Sequence, residues 1–178
     1  ILGKRFTRGV LRSRARMTYA TVAKILVDRD PEERSRHAAL VPLFETMEEL
    51  CLILSKNRYR RGAVDFDLPD AEMQFDKAGK VIGVLPAERN IAHRIIEEFM
   101  LLANECVAGR LSSSEGPALY RVHEAPDPQK VEEFAEFARV LGYRLERQES
   151  RYRPKDFQKF VAQLEGKLEQ RFLVYLML

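Results

Sequence analysis

The chain has 178 residues, 46% of them hydrophobic and 32% charged, with a formal net charge of +3. That is apolar material for one core, and its 9 Gly and 8 Pro exclude a collagen-like or low-complexity chain. Two cysteines exclude a disulfide framework, and no apolar run approaches the ~20 residues needed to span a bilayer.

Cys51 and Cys106 fall within helical apolar patterns and read as buried free thiols of a cytoplasmic protein, with no zinc spacing and no signal peptide. The first residue is Ile1, and the last stretch, Phe172 to Leu178, is an apolar run without a stop signal. We therefore expect an internal piece of a larger protein. Through Gly62 there are 14 Lys and Arg against 7 Asp and Glu, and from Ala63 onward 16 against 20. The first third carries the positive field, which favours polyanionic partners.

Phe6 to Met17 alternates small or apolar residues with Arg8, Arg12, Arg14 and Arg16, the pattern of a strand with a guanidinium-lined face. Such a face could track phosphates, or it could be a solvated edge strand. Thr18 is placed to cap a helix from Tyr19 to about Asp28, and residues 30–36 read as a polar loop. A long helix is predicted from His37 to about Arg60, with Leu40, Phe44, Met47, Cys51 and Leu54 on its stripe and Gly62 as its stop. Residues 63–69 are extended and place Phe66 between Asp65 and Asp67, either as core packing or as a stacking surface. The runs 72–76 and 80–85 flank a short Lys77-Ala-Gly79 turn and form a hairpin.

The longest clean helix follows Asn90, its N-cap, and is apolar on a wide surface through Ile91, Ile95, Phe99 and Leu102. A helix of this kind is expected to be buried around most of its circumference, so its polar residues are informative. Asn90, His93 or Arg94, Glu97 and Asn104 form one narrow stripe; Arg94, Glu98 and Glu105 form another, and one of the two is expected to face inward. Residues 118–123 read as a short strand. Helices are then expected from Asp127-Pro128 to Gly142 and from Pro154 to Gly166, with a closing apolar run from Leu168. The derived fold class is α+β: helix-rich, with long helices packed around a short mixed sheet.

No Gly-rich phosphate loop, nucleophile elbow or zinc pattern is present. His93 and Glu97 stand one turn apart and could share a metal, but a third ligand is missing, and a buried His–Glu hydrogen bond is the simpler reading. Asp65, Asp67 and Asp70 form a carboxylate cluster that would repel without a cation. A small metal-dependent hydrolase using Asp65, Asp67 and Glu97 is thus a weak alternative. The residues by themselves suggest a nucleic-acid contact region without an active site.

Four stretches in order, residues 8–19 (RGVLRSRARMTY), 60–69 (RRGAVDFDLP), 88–104 (ERNIAHRIIEEFMLLAN) and 118–124 (ALYRVHE), closely resemble the central part of the RNB catalytic domain of the ribonuclease II and ribonuclease R family. Pro154-Lys-Asp-Phe157 and the final Leu-rich run extend the match over nearly the whole chain. The resemblance implies part of a processive, magnesium-dependent exoribonuclease that hydrolyses single-stranded RNA from its 3′ end to nucleoside 5′-monophosphates. It also implies that the family's metal-binding aspartates precede Ile1 and its catalytic arginine follows Leu178. No catalytic residue and no metal ligand is therefore expected in this segment, which would be inactive alone.

Three channel positions carry over. Tyr19 matches a tyrosine that packs against the 3′-terminal nucleotides and helps set the length of the final product. Phe66 matches an aromatic that clamps the terminal bases, and Glu97 a glutamate that hydrogen-bonds the last sugar. One departure is Ile91, where the family usually has a polar residue. Arg12, Arg14, Arg16 and Arg61 are the expected backbone contacts. RNA is the expected partner, with no membrane and no obligate protein partner evident. The competing expectation is a non-catalytic RNA-binding or scaffold protein made from a truncated RNB domain.

Overall fold

The computed structural model describes residues 3–66, 71–114, 116–147 and 151–177. The chain divides into two compact units, one formed by residues 1–55 and 89–121, the other by residues 56–88 and 122–178. The architecture is helix-rich α+β; the sheet among the described residues is a single antiparallel hairpin rather than a mixed sheet.

In the first unit, Thr18 caps α1 (Tyr19–Ala23), its Oγ1 accepting from the Thr21 N–H at 3.1 Å. The chain then widens into a π-helical turn, Lys24–Asp28, closed by Arg29 in the left-handed region at φ 52°. Residues 30–36, expected as a loop, form α2 (Pro31–Arg36) instead. The reason is local: Asp30 accepts from the N–H groups of Glu32 and Glu33, and Pro31 supplies the N1 position. Arg34 of α2 donates to the Ile25 carbonyl of the π turn at 3.0 Å and to Glu45 at 2.7 Å. The long helix α3 (Val41–Arg60) begins four residues later than expected, residues 37–40 forming a turn before it. With α4 (Ile91–Ser112) these elements enclose a core of Ile25, Leu26, Val41, Phe44, Cys51 and Ile95, against which Val22, Met47 and Phe99 pack.

The α4 helix runs through Gly109 and is less enclosed than its apolar width suggests. Ala92, Ile95 and Glu98 are buried, while Ile96, Met100, Leu101, Val107 and Leu111 are exposed. Residues 6–17 and 118–123 carry no strand among the described residues, so neither expected strand forms. In residues 6–17 the alternation instead leaves Arg12, Arg14 and Arg16 exposed, together with Val10 and Leu11.

In the second unit, β1 (Ala71–Phe75) pairs with β2 (Val81–Pro86), with an irregularity at Gln74/Phe75. Asp76 organises the turn by accepting from the N–H groups of Ala78 and Lys80. Helices α5 (Pro128–Val140), α6 (Pro154–Gln163) and α7 (Gln170–Leu176) surround Val131, Ala138, Leu145, Phe160, Leu164, Leu173 and Val174. Phe134 meets Phe160 edge-on, with centroids 5.3 Å apart.

Candidate nucleic-acid interface

The start of α4 gathers the most specific chemistry of the first unit. Asn90 accepts from the Ala92 N–H at 3.0 Å, and its own backbone N–H donates to His93 Nδ1 at 3.3 Å. This is a capping box with histidine where Glu or Gln usually stands, and it fixes the imidazole at the helix entrance. The other consequence is the stack of His93 on Tyr19, with centroids 4.1 Å apart and ring planes 28° from parallel. Tyr19 itself is 45% exposed.

Glu97 lies one turn beyond His93, a spacing that puts the two Cβ atoms ~5–6 Å apart on one helix face. The predicted His–Glu hydrogen bond is not what the side chains adopt. Arg89, just ahead of the N-cap, grips both carboxylate oxygens of Glu97, with Nε to Oε1 at 3.1 Å and Nη2 to Oε2 at 2.7 Å. That hydrogen-bonded guanidinium holds the Glu97 carboxyl below the usual carboxylate range, partly offset by burial. Glu97 is thus held as an anion, its side chain 39% exposed. The sequence patterns above do not single out Arg89. Its signal was a cation at a helix N-terminus, where the dipole disfavours positive charge unless a carboxylate lies close by.

The other polar stripe divides: Glu98 is buried and Arg94 donates to Ser55 Oγ at 3.2 Å, while Glu105 is exposed. Cys51 is buried as expected and burial pushes its thiol pKa up, whereas Cys106 is only half-buried. A raised pKa makes Cys51 an unreactive packing group.

Phe66 belongs to the second unit, half-buried against the α5–α7 core. Its approach is set at the end of α3. Gly62 reverses the chain at φ +99°, and Gln158 Nε2 donates to the carbonyls of Tyr59 at 2.9 Å and Ala63 at 3.0 Å. A Cβ at Gly62 would lie 3.0 Å from the Lys155 backbone nitrogen. The packing reading of Phe66 is what the structure describes, with the residue half-buried against this core.

Arg12, Arg14, Arg16 and Arg61 are exposed. Arg14 lines a cleft of about 420 Å³ with Arg36, His37 and Leu40, so it has further basic groups beside it. Asp67 and Asp70 of the carboxylate cluster lie outside the described residues. Among the described residues no three His, Cys, Asp or Glu side chains come together in a way that could hold a metal. No helix among them is long and apolar enough to cross a membrane.

The fold is thus a helix-rich α+β domain that carries an exposed tyrosine stacked on an imidazole, an ionised carboxylate one helical turn further on, and an exposed run of arginines. The RNB domain family model matches residues 1–178. Ribonuclease R of Aquifex aeolicus is 44% identical over 169 residues, covering 95% of this chain and 24% of that protein. Ribonuclease R of Vibrio parahaemolyticus is 34% identical over 169 residues, covering 95% of this chain and 20% of that protein. Among solved structures, Mycoplasma genitalium RNase R in complex with ribose-methylated single-stranded RNA superposes with a TM-score of 0.78 at 21% identity, over 90% of this chain and 25% of that one. The same enzyme in complex with double-stranded RNA gives the same score and identity, over 90% of this chain and 28% of that one. The chain belongs to the RNB domain family. It spans between a fifth and a quarter of the length of these curated relatives.

Proposed function

We propose that this chain is the RNA-lining segment of a processive 3′-to-5′ exoribonuclease of the ribonuclease R kind, which hydrolyses RNA to nucleoside 5′-monophosphates in the cytoplasm. The observation that carries the reading is the cluster at the start of α4: an accessible Tyr19 ring on His93, one turn from a Glu97 held as an anion by Arg89. The Tyr19 ring would stack on a 3′-terminal base, an interaction indifferent to sequence, as a degradative enzyme requires. The Glu97 carboxylate would accept from the ribose 2′-hydroxyl, which distinguishes RNA from DNA. Phe66 would stack on a base as well, and Arg12, Arg14, Arg16 and Arg61 would neutralise phosphates. We propose magnesium as the metal. When bound, it supplies Lewis acidity and an activated water to the phosphodiester. The contribution of this chain's own residues would be to bind and orient the RNA end.

The test is incubation of the native protein carrying this sequence with 5′-labelled single-stranded RNA, with magnesium or with chelator. Stepwise shortening and release of nucleoside 5′-monophosphates is expected only with magnesium. RNA that is bound but left intact would overturn the exonuclease reading in favour of a binding protein.

A further inference from the structure

We infer that His93 is a positioning residue for Tyr19, fixing the plane in which the phenol ring meets the last nucleotides. This rests on the role proposed above for Tyr19. The geometry supplies three reasons. The imidazole stacks on the phenol at 4.1 Å and 28°, a face-to-face contact that sets the tilt of the phenol ring. The imidazole is itself immobilised, because Nδ1 takes the Asn90 N–H in the capping box. Finally, His93 precedes Glu97 by four residues on the same helix face, so one rigid turn spaces the back wall of the aromatic from the carboxylate.

A backing ring matters because Tyr19 opens the short α1 helix and is 45% exposed. Without a partner on its inner face an exposed tyrosine samples several rotamers. With His93 behind it the ring presents one outward face, and the distance from that face to Glu97 becomes a fixed property of α4. His93 thus acts through Tyr19 on where degradation stops.

Two substitutions separate this role from a merely structural one. His93→Gln keeps an acceptor at the third helical position, where Gln serves a capping box well, and removes the ring. His93→Phe removes the acceptor and keeps the ring. Each is made in the native protein beside Tyr19→Ala. The length of the limit product from a 5′-labelled RNA is read on a gel, and the 19F resonance of 3-fluorotyrosine at position 19 is assigned by its loss in Tyr19→Phe. We expect His93→Gln to shift the Tyr19 resonance and to change the limit product as Tyr19→Ala does. The double variant should change it no further, and His93→Phe should keep the wild-type product. An unmoved Tyr19 resonance in His93→Gln would overturn the inference. So would a wild-type product from His93→Gln where Tyr19→Ala alters it, or an altered product from His93→Phe, since the cap and not the ring would then matter. Should Tyr19→Ala itself leave the product unchanged, the role proposed for Tyr19 fails, and the resonance alone decides whether His93 positions the ring.

Discussion

Replacing Phe66 by Ala tests the aromatic of the second unit. The ring is half-buried against the α5–α7 core, so truncation affects both folding and binding, and the two must be separated. Deleting a fully buried Phe costs ~3–5 kcal/mol, and half of that, about 2 kcal/mol, is the expected loss of stability here. A base stacked on an aromatic is worth ~1–3 kcal/mol, so RNA engaging mainly its 3′ end should bind roughly 5- to 150-fold more weakly. Long RNA, which also touches the exposed arginines, should lose much less, because those contacts are unchanged. Fluorescence anisotropy with a short and a long 3′-ended RNA at one salt concentration reads the difference. Phe66→Leu, which keeps most of the packing without the π face, should match Ala in binding while recovering most of the stability in denaturant. Equal loss on both RNA lengths, or wild-type binding by the Leu variant, would refute the stacking role.

Two further perturbations follow from the same geometry. Arg89→Met should return the Glu97 carboxyl towards the ordinary range, seen as an upward shift of its titration by NMR. Because the wild-type pKa is depressed, the pair's stabilisation is present above the ordinary carboxylate value and is lost as pH falls through the depressed one. With both side chains about a third or more exposed, solvent screening limits it to ~0.2–1 kcal/mol at neutral pH, so the variant should converge on wild type in acid; an unchanged Glu97 titration would contradict the clamp. Gly62→Ala should lower stability by ~2 kcal/mol, combining a left-handed backbone with a Cβ at 3.0 Å from the Lys155 nitrogen; a change within ~0.5 kcal/mol would show that the α3 exit relaxes freely.

What could be read in the sequence depended on whether the decisive interaction was local. Asn90 as a cap, the Asp76–Lys80 turn, Pro128 and Pro154 at helix starts and Gly62, Gly142 and Gly166 as stops are all decided within a few residues, and each appears. The helix of residues 31–36 was equally local and was missed because its polar composition outweighed the Asp30-Pro31 signal. Residues 6–17 and 118–123 have a strand's alternation, but a strand also needs a partner, and pairing is not written in one segment. At the candidate site, motif resemblance singles out Tyr19 and Glu97. Their supports were not legible: Arg89 reaches across eight residues to Glu97, and His93 was read as a partner for Glu97 when Asn90 and Tyr19 claim it.

The π turn at Lys24–Asp28 governs the phase of what precedes it. Such a turn holds an additional residue relative to an α turn, and here its opened Ile25 carbonyl is taken up by Arg34. Ile25 and Leu26 are anchored in the core, so the wide turn determines the azimuth at which Tyr19 leaves the helix axis. Deleting one residue within 24–28 would restore α-helical winding and rotate Tyr19 by ~100°, carrying the phenol off the imidazole without altering either side chain. The length of this turn therefore sets where the Tyr19 ring points, and it is sensitive to insertions and deletions that leave every side chain in place.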